Sequence, residues 1–247
     1  MFSIFKKKER FKINYKDFFT QDMHSHLLPG IDDGSPNIQT SIELILGMKN
    51  IGFQNFIGTP HIMADMHKNN RETITKAHNE LKEALQKNNL DIDIKFAAEY
   101  MLDEGFIHHI EKGNLLTVFK NYILIETPFY IEPMELENLL FEIESKGYKG
   151  ILAHPERYHY VDDDLKVFEK YIYRDFPLQL NILSLSGYYG TREKEIAKKM
   201  LDAGMYSLIG SDLHHERHLK RLESMVLSKK MIEKLEKTEW LNSKITS

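Results

Sequence analysis

The chain of 247 residues has no cysteine, a single tryptophan and seven prolines. Without cysteine no disulfide can form, so nothing asks for an oxidising compartment and a cytoplasmic location is expected. There is no thiolate nucleophile, which excludes cysteine-based phosphatase and protease chemistry. Zinc ribbons and cysteine-held iron–sulfur clusters are excluded as well. No apolar run approaches the length of a membrane span. An excess of positive charge is also missing: 33 Lys and Arg against 37 Asp and Glu leave a formal net charge of -4. A dedicated nucleic-acid binder is usually basic, so no nucleic-acid partner is expected. Any metal must therefore be held by histidine and carboxylate, and the chain has 12 histidines.

What is present starts with enough apolar residues, 42%, for a sizeable core. Residues 1–15 read as a basic tail, with Lys6-Lys7-Lys8 following Phe2, Ile4 and Phe5. That order is the reverse of a secretory signal, and weak contact with an anionic membrane surface is the functional alternative to a solvated tail. No repeat, low-complexity stretch or linker interrupts the rest, so residues 16–247 are expected to form one domain.

Short apolar runs alternate with helix-period segments. The candidate strands are Asp22–His26, Asn55–Thr59, Ile92–Ala98, Tyr122–Ile125, Gly150–Ala153, Leu178–Leu183 and Tyr206–Gly210. Between them, Ser35 with Pro36 in the first turn is expected to cap a helix that Gly52 follows. Pro133 opens another, with Leu136, Leu139, Leu140 and Ile143 on one face and Gly147 past its end. This alternation predicts a parallel sheet, closed as a barrel or open and doubly wound. No Gly-x-Gly-x-x-Gly turn follows the first strand, which disfavours a dinucleotide site.

Polar groups fall where these strands end. In Asp22-Met23-His24-Ser25-His26, the two histidines alternate and so share one strand face. His61 follows Asn55–Pro60, Glu99 follows Ile92–Ala98, Glu126 follows Tyr122–Ile125, and His154 follows Gly150–Ala153. Asp212 and His214 follow Tyr206–Gly210, while the remaining strand offers the softer Asn181, Ser184 and Ser186. In a parallel barrel such ends converge on the face where catalytic groups sit, which favours the barrel and a shared polynuclear metal site. A set of imidazoles and carboxylates without sulfur suits manganese, iron or zinc, spread over two or three ions. Sites of this kind commonly perform phosphoester chemistry.

Arg157, three residues after His154, offers a fork for two phosphoryl oxygens, or a salt bridge with Glu156 or a neighbour. Asp33, in Gly30-Ile31-Asp32-Asp33-Gly34, is a candidate metal ligand or proton donor, with Asp32 the weaker of the two. His67, His78, His108, His109, His159, His215 and His218 carry no comparable signal. Tyr158, Tyr160, Tyr188 and Tyr189 either line an entrance or pack.

Together, Asp22-Met23-His24-Ser25-His26, Thr59-Pro60-His61, Glu99, Glu126, Ala153-His154-Pro155-Glu156-Arg157-Tyr158 and Ser211-Asp212-Leu213-His214 resemble the PHP (polymerase and histidinol phosphatase) superfamily. Within it they resemble the bacterial manganese-dependent tyrosine phosphatases of capsular and exopolysaccharide gene clusters. The Gly30–Gly34 loop, the glutamate at 126 and the Glu156-Arg157-Tyr158 run point to that branch. The resemblance extends from about Asp22 to Leu219 and implies an α/β fold, a distorted (β/α)7 TIM-like barrel of the PHP type with a trinuclear site. It puts His24, His26, Glu99 and Asp212 on one ion. Glu99 bridges to a second ion with Glu126 and His154, and His61 and His214 hold a third. It makes manganese the first choice of metal, Arg157 the phosphate binder, and Asp33 an acid–base group or outer ligand.

The implied substrate is the phosphotyrosine tail of a bacterial tyrosine autokinase that controls polysaccharide synthesis. The expected reaction is attack of a metal-bound hydroxide on phosphorus, with no phosphoenzyme. A leaving phenolate has a pKa of about 10, so a general acid matters less than for an alkyl phosphate. Two readings compete: a histidinol-phosphate phosphatase, and a metal-bound scaffold that binds the kinase without turnover. A PHP nuclease is disfavoured by the acidic net charge.

Overall fold

The computed structural model describes residues 9–161 and 164–245, so Met1–Lys8 of the expected basic tail lie outside the described residues. In chain order the strands are β1 (Phe11–Lys12), β2 (Gln21–Ser25), β3 (Asn55–Gly58), β4 (His61–Ile62), β5 (Ile94–Phe96), β6 (Glu99–Met101), β7 (Tyr122–Glu126), β8 (Lys149–Ala153), β9 (Leu178–Asn181), β10 (Tyr206–Gly210) and β11 (Val226–Leu227). The helices are α1 (Ile38–Ile51), α2 (Arg71–Lys87), α3 (Phe106–Lys112), α4 (Leu136–Ser145), α5 (Glu169–Tyr173), α6 (Thr191–Asp202), α7 (Glu216–Glu223) and α8 (Lys229–Lys237). Among the described residues, no helix is long and apolar enough to cross a membrane.

The fold is mixed α/β with parallel sheets. Strands β10-β9-β8-β7-β6-β4 form one parallel sheet, and β2-β3-β5 form another. The sheets are continuous in the chain, since β3 runs into β4 and β5 into β6. Proline at 60 has no N–H for a ladder, so the strand breaks there. Backbone bonds still carry the pairing across the break, from Ala97 N to Gly58 O at 2.8 Å and Glu99 N to Pro60 O at 3.0 Å. At the other edge Ser25 bridges Leu213 in parallel. There His26 N donates to Leu213 O at 2.9 Å, and Asp212 N to His24 O at 2.8 Å.

Strand alternation divides the core. Leu124, Ile151, Ala153 and Leu208 belong to a small cluster with Met23, Ile57 and Ala97, whereas Ile123, Ile125, Leu152 and Ile209 belong to the large cluster that includes the helix faces. α4 contributes Leu136, Leu139, Leu140 and Ile143 to that large cluster, as its spacing predicts. β1 pairs antiparallel with β11, and Ile13 and Tyr15 are buried beside them. The C-terminal segment packs on the sheets: Asn242 bonds Ile209 through both its amide nitrogen and its amide oxygen, and Ile245 is buried.

Three local expectations change. The α1 cap is Asn37, whose side chain accepts from Thr40 N at 3.0 Å, because the Ser35 hydroxyl is already engaged, donating to Asn37 O at 3.0 Å and accepting from Ser41 Oγ at 2.9 Å. The strand expected over Leu178–Leu183 stops at Asn181, whose side chain accepts from Leu183 N and winds residues 182–186 into a 3-10 turn. The strand expected over Ile92–Ala98 is ordered as a ladder only over Ile94–Phe96.

Candidate metal centre

The strand ends bring the eight expected ligands together. His24 lies on β2 and His26 just past it, His61 opens β4 in register with Glu99 on β6, and Glu126 closes β7. His154 and Asp212 follow β8 and β10 in left-handed conformations, with φ of 33° and 51°. Such a backbone costs a non-glycine residue on the order of 1–3 kcal/mol and persists where the surroundings hold it. Two glycines allow the close approach. A Cβ at Gly34 would lie 2.3 Å from His26 Cβ, and one at Gly210 would lie 2.8 Å from His24 Cβ.

Three overlapping groups result. His24, His26, Glu99 and Asp212 form the innermost, all buried. His24 Nε2 is 3.2 Å from both Glu99 Oε2 and Asp212 Oδ1, and His26 Nε2 is 3.3 Å from each. That spacing is what ligands ~2.0–2.2 Å from a common ion impose on one another. Glu99 Oε2 is also 3.2 Å from His61 Nδ1, which is 3.0 Å from Glu126 Oε1, so Glu99 is shared with a second group. His154 Nε2 reaches the other Glu99 oxygen at 3.1 Å and Glu126 Oε2 at 3.9 Å. The outermost group is His26, Asp33, His61 and His214, with Asp33 Oδ1 3.6 Å from His61 Nε2 and 3.5 Å from His214 Nε2. His61 thus faces two groups through its two ring nitrogens, where the resemblance places it with His214 alone. Asp33 is 58% exposed at its side chain, so the outermost group marks the open side.

The inner donors fit cations better than one another. Among the described residues, the buried side-chain atoms without a hydrogen-bond partner include His61 Nδ1, Glu99 Oε2, Glu126 Oε1 and His154 Nδ1. Buried polar atoms are rarely left this way unless an ion or water belongs there. Around them, three imidazoles are fixed by a bond from the other ring nitrogen, the arrangement that orients a metal-binding histidine. His24 Nδ1–H donates to Gln179 Oε1 at 3.0 Å, His26 Nδ1–H to Asp32 Oδ2 at 2.8 Å, and His214 Nδ1–H to the Asp212 carbonyl at 2.9 Å.

Electrostatics agree with that picture. Burial opposes a charge on His24, but Glu99 and Asp212 outweigh it and push its pKa up to about 10. Burial is likewise outweighed at His61, which Glu126 and Glu99 raise to about 9. In return, and against their burial, Glu99 is held well below the carboxylate range by His24 and His61, and Asp212 by His24 and His214. In the absence of a cation, protons on imidazole balance the acids; a divalent ion displaces them.

Arg157 pairs with Asp212 and not with Glu156: its Nη1 donates to Asp212 Oδ2 at 2.5 Å. Glu156 points away into the core. There it accepts from Asn181 N, Ser184 Oγ and the Tyr206 hydroxyl, and burial raises its pKa. Asp32, the weaker aspartate of the loop on sequence, is the residue that holds His26. Gln179, which orients His24, has one mark in the sequence: it alternates with Asn181 on a strand that is otherwise apolar. His67 and His78 also have partners: the His67 ring stacks on His61 at 5.6 Å, and His78 Nε2–H donates to Ile94 O at 2.8 Å.

Comparison with known proteins adds a second line of evidence. The chain is 28% identical over 195 residues to the tyrosine-protein phosphatase YwqE of Bacillus subtilis (strain 168), covering 78% of this chain and 77% of that protein. It is 24% identical over 200 residues to the tyrosine-protein phosphatase CpsB of Streptococcus pneumoniae, covering 78% and 82%. A solved structure from crystallographic work on these two proteins, described there as unique metal-dependent tyrosine phosphatases, superposes with a TM-score of 0.74 at 27% identity over 81% of each chain. The family model for capsular polysaccharide synthesis, CpsB/CapC, matches residues 20–245, and the chain belongs to that family.

Proposed function

We propose that the chain is a metal-dependent protein-tyrosine phosphatase acting on the phosphotyrosine tail of a bacterial tyrosine autokinase, in the cytoplasm, in the control of capsular or exopolysaccharide synthesis. The observation that carries this reading is Glu99: one buried carboxylate oxygen lies within 3.3 Å of His24, His26 and His61, with no hydrogen-bond partner of its own. Membership in the CpsB/CapC family gives that centre its chemistry. The backbone bonds from Asp212 and His26 across to β2 and Leu213 support reading the two sheets as one distorted (β/α)7 barrel. The chain is then a single domain that begins by about residue 11 and not at the expected 16, since β1, Ile13 and Tyr15 pack into it.

Three ions, manganese in the first instance and iron or zinc otherwise, fit the three groups. His24, His26, Glu99 and Asp212 would hold one. Glu99, Glu126 and His154 would hold another. His61, His214 and Asp33, with His26 beside them, would hold the third. Bound there, divalent ions supply positive charge to the phosphoryl oxygens and acidify a water.

The chain's own residues do the rest. Arg157, one nitrogen on Asp212, has further N–H groups to grip two phosphoryl oxygens and to offset charge in the transition state. Asp33 serves as the outer carboxylate of the open group and not as a proton donor. A phenolate with a pKa of about 10 leaves without one.

The test is phosphate release after manganese reconstitution, with a phosphotyrosine peptide and histidinol phosphate offered to the same sample. Preference for the peptide is expected. Preference for histidinol phosphate would move the enzyme to amino-acid chemistry, and binding of the kinase tail without release would make it a scaffold; either overturns the reading.

A further inference from the structure

Arg157 stands in a closed circuit of side chains. Its guanidinium carbon lies 4.2 Å from the Tyr189 ring centre and 4.9 Å from that of Phe129, so two rings flank the cation. Asp212 Oδ2, which accepts from Arg157, also accepts from Asn181 Nδ2 at 3.1 Å, and the same amide donates to the Tyr189 hydroxyl at 3.0 Å. The Asn181 orientation is settled at its other end, where Oδ1 accepts from Leu183 N at 3.0 Å. Phe129 is held as well: its ring stacks on His154 with 5.8 Å between centres and 16° between planes, and its carbonyl accepts from His159 N at 2.6 Å.

We infer that Tyr189, Phe129 and Asn181 are positioning residues that hold Arg157 as a preorganised fork for a phosphomonoester dianion. The identity of that ligand rests on the phosphatase reading; the circuit itself does not. A free arginine must give up much rotamer freedom to grip an anion, whereas one held against two rings and a carboxylate has already given it up. Asn181 has a second consequence. When Arg157 leans toward a phosphoryl group, Asp212 Oδ2 keeps a donor, so the carboxylate need not follow the arginine away from His24 and His26.

The test is a double-mutant cycle read by inorganic phosphate binding to the manganese-loaded protein. Tyr189→Leu is expected to weaken phosphate binding about 3- to 30-fold, the range of one cation–π contact, with manganese content unchanged. Tyr189→Phe keeps the ring and should recover most of that loss. In an Arg157→Ala background, Tyr189→Leu should add almost nothing, because its effect passes through the arginine. With peptide substrate, Tyr189→Leu should raise KM more than it lowers kcat. Should Tyr189→Leu not fold, Phe129→Leu removes the second ring and is read in the same cycle.

Parent-like phosphate binding by the variant, an undiminished penalty without Arg157, or a parent protein that binds no phosphate would each overturn the inference. Phosphate binding that follows the cycle in a protein releasing none from the peptide would support the circuit and overturn the phosphatase reading.

Discussion

Asp32→Asn alters none of the eight expected ligands, yet it should weaken metal binding at the centre. Asp32 Oδ2 accepts from His26 Nδ1 at 2.8 Å and from His61 N at 3.2 Å, and its Oδ1 accepts from Gly34 N at 3.0 Å. Both oxygens face N–H donors. Asparagine has one oxygen, so in either orientation its NH2 meets a donor. With the NH2 toward Gly34, the loop loses the bond that folds it over His26. With the NH2 toward His26, the imidazole loses its acceptor and can move its proton to Nε2, the atom 3.3 Å from Glu99 and Asp212. A buried donor left unsatisfied costs about 1–3 kcal/mol. Loss of a partner that orients a ligating histidine lowers metal affinity about 10- to 100-fold. At about 1.4 kcal/mol per factor of ten the two estimates agree. Titration calorimetry with manganese reads the affinity, and the Tm of the metal-free protein controls for folding. A folded variant that binds manganese within about twofold of the parent would refute the claim that Asp32 orients a ligand.

Asp212→Ala removes the carboxylate shared by His24, His26 and Arg157, and phosphate release should fall at least ~10²–10³-fold; parent-like rates would contradict the site. Arg157→Ala should weaken inorganic phosphate inhibition about 10- to 150-fold, the worth of a charge-assisted bond, while manganese content stays unchanged. Gly210→Ala places a methyl 2.8 Å from His24 Cβ and 2.9 Å from Gln179 Nε2, so the strand must shift. A loss of about 1–3 kcal/mol is expected, read as a Tm lower by ~2–10 °C together with weaker manganese binding.

The pH dependence of the metal-free protein follows from the imidazole–carboxylate pairs. His24 and His61, raised from an ordinary 6.5 to about 10 and about 9, contribute stability that is complete below pH 6.5 and is lost as pH rises through those values. Glu99 and Asp212, lowered from 4.5 and 3.8, contribute stability that is present above those values and is lost as pH falls further. Melting curves in chelator should therefore peak between about pH 4.5 and 6.5, and manganese should move the peak upward.

Much of the candidate site was visible in the chain because each ligand sits at the same point of a repeating unit. His61, Glu99, Glu126, His154 and Asp212 each end an apolar run, and parallel strands bring such ends to one side. Asp32, Gln179 and Asn181 were harder to see for a physical reason. Gln179 and Asn181 act on side chains far away in sequence, His24 across 155 positions and Asp212 across 31, whereas Asp32 lies six positions from His26 in a loop whose fold decides which of its two aspartates turns inward. The alternation of Gln179 and Asn181 on a buried strand was the available signal. Tyr189 carried less, since a tyrosine beside glycines packs or lines an entrance with equal ease until Arg157 is placed against it. Strand limits slipped where side chains compete with the ladder, as Asn181 does by capping Leu183, and helix limits where a loop bond claims the expected cap, as at Ser35.

The most direct test of the account is anomalous diffraction at the manganese edge from crystals of the manganese-loaded protein. Three peaks are predicted: one among His24, His26, Glu99 and Asp212, one between Glu99 and Glu126, and one beside Asp33, His61 and His214. No peak at the strand ends, or manganese bound only elsewhere, would contradict the claim that these buried acids and imidazoles form a metal centre.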